Sequence, residues 1–175
     1  MRFTPTEIVG AYVVEPEPHA DDRGLFARVW CARELAAHGL VGDLAQASVS
    51  FNVARGTLRG MHYAVAPHAE TKLVSCIRGA IYDVLVDLRP GPGQGRWGGY
   101  ELTADNRRML YVPEGVAHGF LTLADASEVQ YFISTAFDAA SARGVRYNDP
   151  AFGIAWPAAP TVIAPRDASY PDFVP

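Results

Sequence analysis

Lysine is nearly missing from this 175-residue chain: Lys72 is the only one among 15 basic residues, and every other basic position from Arg2 to Arg166 is arginine. A lone lysine in an arginine background marks a place where a compact ammonium with three donors serves better than a planar guanidinium. A codon preference with one stray lysine is the bland alternative. Cysteine is scarce too. Cys31 and Cys76 show no Cys-x-x-Cys spacing, and two cysteines make no disulfide framework, so both are expected as reduced thiols. No apolar run approaches the roughly 20 residues that span a bilayer, and Met1-Arg2-Phe3-Thr4-Pro5 does not open a signal peptide. A cytoplasmic protein with no membrane partner is expected. Excess positive charge is also absent. A net charge of −4 and a pI near 5.7 exclude a general polyanion binder, and with it a nucleic-acid partner, although arginines focused in a cleft suit a small phosphorylated ligand.

What is present is a well-filled core. With 49% hydrophobic and 19% charged residues, the chain fits one domain spanning 1–175. Short apolar runs separated by turn residues, with little helical periodicity, predict an all-β sandwich or barrel. The expected strands are Ile8–Val14, Ala47–Val53, Leu58–Tyr63, Lys72–Ile77, Ala80–Leu88, Trp97–Leu102, Met109–Val112, Gly119–Leu123, Val129–Thr135 and Gly144–Tyr147. Arg78-Gly79, Asp105-Asn106 and Pro113-Glu114-Gly115 read as turns, and Pro90 to Gly95 as a longer loop. One helix is expected at Ala32–His38, closed by Gly39 in a left-handed cap. The proline-rich stretch from Pro150 to Pro175 cannot be regular throughout, and is expected to wrap over the domain.

Two clusters carry chemistry. The first is Arg59-Gly60-Met61-His62-Tyr63, with Lys72 ten residues after the histidine. The period of two along a strand puts Lys72, Val74 and Cys76 on one face, so Lys72 is a candidate to point inward, where burial brings an ammonium toward a catalytic pKa. The same rule sets Arg59, Met61 and Tyr63 opposite Leu58, Gly60 and His62. The second cluster, Pro113-Glu114-Gly115-Val116-Ala117-His118-Gly119-Phe120, resembles the second signature of the cupin superfamily, a jelly-roll fold. Metal-binding cupins also need a first signature with two histidines one residue apart; here His62 is followed by Tyr63 and Ala64. His62, His68, Glu70 and His118 remain a conceivable ligand set, against the plainer reading of His68 and Glu70 as a solvated loop after Pro67.

Further fragments occur in order: Asp22-Arg23-Gly24-Leu25-Phe26, Tyr82-Asp83-Val84, Val86-Asp87-Leu88-Arg89, Arg143-Gly144-Val145-Arg146 and Asp149-Pro150. With the two clusters they make the chain similar to the dTDP-4-dehydrorhamnose 3,5-epimerase family from about Ile8 to Asp172. The resemblance implies a homodimeric, metal-independent cupin without a cofactor, with short peripheral helices. It also implies an isomerase acting at C3, C5 or both of a nucleotide-linked 4-keto-6-deoxyhexose. That reaction needs a base, a donor for the enolate oxygen, and an acid on the opposite face. By resemblance these are His62 with Asp167 as partner, Lys72 helped by His118, and Tyr131. Arg23, Arg59 and Arg166 are the candidates for the diphosphate, and Phe26 and Gln46 for the pyrimidine.

Three positions depart from the family's pattern: Arg28 replaces a glutamate, Ala64 a glutamine, and Phe137 a tyrosine that adds a hydroxyl near the sugar. These leave the base and the number of inverted centres open. The alternatives are a 3-monoepimerase or ketoisomerase of the same fold, a metal-dependent cupin enzyme, and a noncatalytic sugar-binding cupin.

Overall fold

A computed structural model describes residues 1–174. In chain order the strands are β1 (Arg2–Pro5), β2 (Tyr12–Glu15), β3 (His19–Asp21), β4 (Gly24–Phe26), β5 (Gln46–Asn52), β6 (Thr57–Ala64), β7 (Lys72–Arg78), β8 (Ala80–Asp87), β9 (Trp97–Thr103), β10 (Met109–Val112), β11 (Val116–Thr122), β12 (Ser127–Ile133), β13 (Ala142–Gly144) and β14 (Val162–Ile163). The helices are α1 (Ala32–Ala37) and α2 (Pro165–Ala168). Neither helix is long and apolar enough to cross a membrane.

Two sheets make a jelly-roll sandwich. One has the order β1-β2-β10-β7-β12-β5; the other has β13-β6-β11-β8-β9, with β14 alongside β6. Apart from β1–β2, β8–β9 and the β3–β4 hairpin, neighbouring strands are non-consecutive, so only tertiary pairing brings the motif strands together. Strand β8 shows why the sandwich is stable. Leu85 faces the core between the sheets with Val74, Leu110, Phe120 and Val129. Val84 and Val86 face the other way, into a second cluster with Met61, Ala117, Val145 and Phe152. A strand buried on both faces reads as a continuous apolar run, as Ile81 to Val86 nearly does. The tail from Val145 to Phe173, including Trp156, covers that outer face. On the other sheet, Leu35 of α1 packs with Leu73, Met109 and Tyr111.

Helix α1 ends as its sequence predicts: Gly39 takes φ +70°, and the amides of Gly39 and Leu40 return to Ala36 and Leu35. Several boundaries differ from expectation. Ile8 is buried in a turn, not a strand, because Gly10 at φ +80° reverses the chain before β2. The run expected at Gly144–Tyr147 is paired only at Ala142–Gly144, and β11 begins at Val116, ahead of Gly119. Strands β1, β3, β4 and β14 carry two to four residues each, too few for alternation to register.

Candidate active site

A cavity of about 590 Å³ opens where β5, β6, β7, β11 and β12 converge with α2 and the segment around Phe137, within the size range of small-molecule sites. Arg59, His62, Lys72, His118 and Tyr131 line it, with Gln46, Phe137, Arg166 and Asp167. Residues from 46 to 167 thus meet in one space.

Strand parity explains part of this meeting and fails at one point. On β7, Lys72 shares the inward face with Val74 and Cys76, and its side chain is 9% exposed. On β11, His118 shares the inward face with Val116 and Phe120. On β6, however, Arg59 and His62 both line the cavity although they lie three apart, and Met61 turns outward to Val84 and Val145. The expected opposition of Arg59 and His62 is corrected by a bulge. His62 pairs with His118 and Arg59 with Phe120, so Gly60 and Met61 together oppose Gly119. Gly60 has φ +125°, and a Cβ there would lie 2.5 Å from the Gly119 Cα and 2.8 Å from the His118 carbonyl oxygen. Only glycine fits the conformation and the approach. The glycine therefore puts base candidate and arginine on one wall.

His62 Nε2 lies 2.8 Å from Asp167 Oδ1, and Asp167 Oδ2 accepts the Gly60 amide at 3.1 Å. A carboxylate partner fixes the proton on Nε2 and leaves Nδ1 as the basic nitrogen. Burial lowers the His62 pKa below 6.5; Asp167 opposes this, and the charges of Lys72 and Arg166 reinforce it. The imidazole is therefore neutral and basic near pH 7. For Asp167, burial pushes the carboxyl up, but His62, the Gly60 amide and Arg166 outweigh it and hold the carboxyl below its ordinary value. Pro165 at the first turn of α2 presets that helix, and Tyr170 beyond it stands edge-on to His62 with ring centroids 6.3 Å apart.

The Lys72 ammonium contacts Glu70 Oε1 at 2.9 Å and the His62 carbonyl oxygen at 3.4 Å. Glu70, expected in a solvated loop, is mostly buried at 16% side-chain exposure. Tyr131 stands edge-on to His118, ring centroids 6.0 Å apart. Burial and the Asp83 carboxylate push its hydroxyl far above the ordinary phenol value, against a smaller pull from Arg59. His118 Nε2 and Asp83 Oδ1 approach to 2.6 Å without the alignment of a hydrogen bond. Among the described residues, no three His, Cys, Asp or Glu side chains form a group that could hold a metal; His62 is engaged by Asp167 and Glu70 by Lys72.

Arg59 is braced from behind. Its Nε donates to Asn52 Oδ1 at 2.7 Å, and the Asn52 amide donates to the Ser50 and Ser127 carbonyls. The sequence assigns Asn52 and Tyr170 no role, shows Asp83 only within a family fragment, and presents Glu70 as a loop residue or metal ligand; for Asp83, a polar residue in a strand of buried neighbours is the signal that could have found it. Gln46 Oε1 accepts the Phe137 amide at 2.9 Å, and the Phe137 ring is 71% exposed. Arg23 and Phe26 lie outside the cavity. They sit on the β3–β4 hairpin, which pairs with neither sheet; Arg23 is bound to Asp21, and Phe26 is 76% exposed. Arg28 is turned to Glu34 at 2.6 Å.

Comparison with known proteins agrees with this fold. The model of the dTDP-4-dehydrorhamnose 3,5-epimerase family matches residues 5–174. A dTDP-4-dehydrorhamnose 3,5-epimerase of Sinorhizobium fredii is 38% identical over 99% of this chain and 90% of its own. A dTDP-4-dehydrorhamnose 3-epimerase of Streptomyces niveus is 40% identical over 95% and 81%. The crystal structure of the Bacillus anthracis 3,5-epimerase with TDP and pyrophosphate bound superposes with a TM-score of 0.94 at 38% identity, covering 98% and 99% of the two chains. A jelly roll with a histidine–aspartate pair, a buried lysine and a partly buried tyrosine around one cavity, matched along nearly its whole length, places this chain in the dTDP-4-dehydrorhamnose 3,5-epimerase family of isomerases.

Proposed function

We propose that the protein epimerises a dTDP-linked 4-keto-6-deoxyhexose at C3, C5 or both, converting dTDP-4-dehydro-6-deoxy-D-glucose toward dTDP-4-dehydro-L-rhamnose or a singly inverted product. The carrying observation is that a neutral, carboxylate-held imidazole, a firmly protonated phenol and the one lysine line the same cavity. The C4 ketone acidifies the neighbouring C–H bonds. His62 Nδ1 takes the proton, the C–H electron pair becomes the enolate double bond, and the carbonyl pair moves onto O4. There the Lys72 ammonium, with His118, stabilises the negative charge. Tyr131 then delivers a proton to the opposite face, and solvent restores the starting protonation states. The net change is inversion with one solvent hydrogen incorporated.

Arg59 and Arg166, at the mouth of the cavity, suit the diphosphate as bidentate donors, and Gln46 with the Phe137 ring suits the base or the sugar beside it. A homodimer agrees with the apolar surface at the edge strand β5, where Val49 and Phe51, with Val53 just past its end, are 53%, 50% and 76% exposed. It also agrees with the free β3–β4 hairpin, whose Arg23 and Phe26 would then meet a second copy. Two free thiols suit a cytoplasmic setting. Incubation with dTDP-4-keto-6-deoxyglucose in deuterated water tests the reading. Deuterium at C3 or C5 with an inverted centre is expected; a substrate that binds but acquires none overturns it in favour of a noncatalytic binder.

A further inference from the structure

The mechanism above gives Lys72 a task and leaves Glu70 without one. Yet Glu70 Oε1 lies 2.9 Å from the Lys72 ammonium, with both side chains mostly buried in the cavity wall. The backbone around Glu70 is held on both sides: the Ala69 carbonyl accepts the Thr135 hydroxyl at 3.0 Å, the Thr71 amide donates to Ser134 Oγ at 2.9 Å, and the Thr71 carbonyl accepts the Ser134 amide at 3.1 Å. The carboxylate thus stands on a fixed segment, not a mobile loop.

An ammonium has three donors. Glu70 and, at 3.4 Å, the His62 carbonyl direct two of them, which leaves one for a substrate oxygen. Charge bears on the same point. His62 must become an imidazolium when it takes a proton, and Lys72 already disfavours that form. With His62 the cavity is lined by Asp167, Arg166 and Tyr170 from α2 and the tail, His118 from β11, Arg59 and Tyr63 from its own strand, Arg143 from β13, Tyr131 from β12, Lys72 from β7 with His68 and Glu70 before it, and Asp138 beside Phe137. Among these, Asp167, Glu70 and Asp138 are the carboxylates; Asp167 is engaged by His62 itself and Asp138 by the Ser141 amide, so Glu70 is the one that meets the Lys72 ammonium. We propose that Glu70 is the positioning residue of the reaction: it aims the Lys72 ammonium at the enolate oxygen and offsets its charge, so that a cation can stand beside a base that must itself turn cationic.

This inference rests on the epimerase reading, and the lone lysine provides a test that does not. Protein grown on ¹³C-labelled lysine gives one side-chain Cε signal, that of Lys72. Restricted motion of this group is expected in the native protein, free motion in Glu70→Ala, and near-native restriction in Glu70→Gln, which keeps a hydrogen-bond acceptor. In activity, Glu70→Ala is expected to slow deuterium incorporation roughly 10- to 100-fold, the effect of misplacing a reacting group, with dTDP affinity changed less than threefold. Glu70→Gln is expected to recover most of the rate, while both variants move the acid limb of the pH–rate profile downward because His62 loses the offsetting charge. Native-like motion of Lys72 in Glu70→Ala, or an exchange rate within twofold of native with the acid limb unmoved, would overturn the proposal. If Glu70→Ala does not fold, the acid limb of Glu70→Gln decides. Should the native protein exchange no substrate hydrogen, the epimerase reading fails and the Lys72 signal still decides the pairing.

Discussion

Two histidine–aspartate pairs flank the cavity, on neighbouring strands that place His62 directly opposite His118, and they differ in every respect that matters to proton transfer. In the first, His62 is 32% exposed and its Nε2 meets Asp167 in an aligned hydrogen bond of 2.8 Å. In the second, His118 and Asp83 are 4% and 0% exposed and stand 2.6 Å apart without alignment. The aspartates also come from different places: Asp167 from a four-residue helix in the tail, Asp83 from the middle of β8. An imidazole that cycles protons needs one nitrogen open to the substrate and the other held by a well-aimed acceptor. Only the first pair meets both conditions. The second presents a fixed polar group beside Tyr131 and is suited to orient, not to exchange.

The largest effect that would break this contrast comes from the histidines themselves. Replacing His62 by alanine is expected to cut deuterium exchange at C3 and C5 by about 10²–10⁴-fold, and His118→Ala by distinctly less. A His62→Ala protein that keeps more than a tenth of native exchange would show that the base lies elsewhere. Next are the carboxylates. Asp167→Asn is expected to slow exchange by about 10²-fold or more and to leave folding intact. Native activity should fall as pH drops through a value below 6.5, because burial already depresses the His62 pKa. Asp167 raises that pKa, so its loss moves the acid limb lower still. Asp83→Ala should act on the other axis, lowering stability in urea unfolding more than exchange, because it opens a space at the fully buried centre of β8 beside His118.

Tyr131→Phe sharpens the comparison at the opposite face. It removes the proton donor and keeps the ring, so His62 can take and return a proton on one face while inversion stops. Deuterium wash-in without epimerisation is the expected outcome, and equal loss of both would reassign the acid. A smaller effect is expected at Phe137. A hydroxyl there contributes about 0.5–1.5 kcal/mol through one hydrogen bond, a several-fold bias in rate. Native protein is expected to exchange C3 faster than C5, and Phe137→Tyr to narrow the gap; equal native rates unchanged by the substitution would detach this residue from the outcome. The smallest expected effect is none: chelator should leave the rate unaltered, and metal-restored activity after chelation would overturn the assignment of Lys72 as the enolate's positive partner.

The first motif illustrates what local pattern conveys and where it stops. Arg59, Gly60 and His62 stand out in the sequence, yet alternation assigns Arg59 and His62 to opposite faces. A one-residue bulge against Gly119 reverses that assignment, and a bulge is a property of two strands, invisible in either alone. Glu70 shows the same limit: after Pro67 it resembles a surface loop, and only the hydrogen bonds from Thr135 and Ser134 on the far end of β12 bring it inward.

The sequence by itself determined the fold class, through short apolar runs and turns, and the chemical inventory: a lone lysine, histidines beside glycines, a tyrosine among apolar neighbours. These are local quantities, set by composition and period. The family resemblance already named His62, Asp167, Lys72, His118 and Tyr131; the tertiary structure alone decided how they meet. It brought Asp167 to His62 across 105 positions, chose which histidine has an aligned partner, turned Glu70 onto Lys72, and left Arg23 and Phe26 on a hairpin outside the cavity. Those outcomes depend on non-local strand pairing and on a tail folded over the second sheet, and neither leaves a trace in the residues next to the ones it moves.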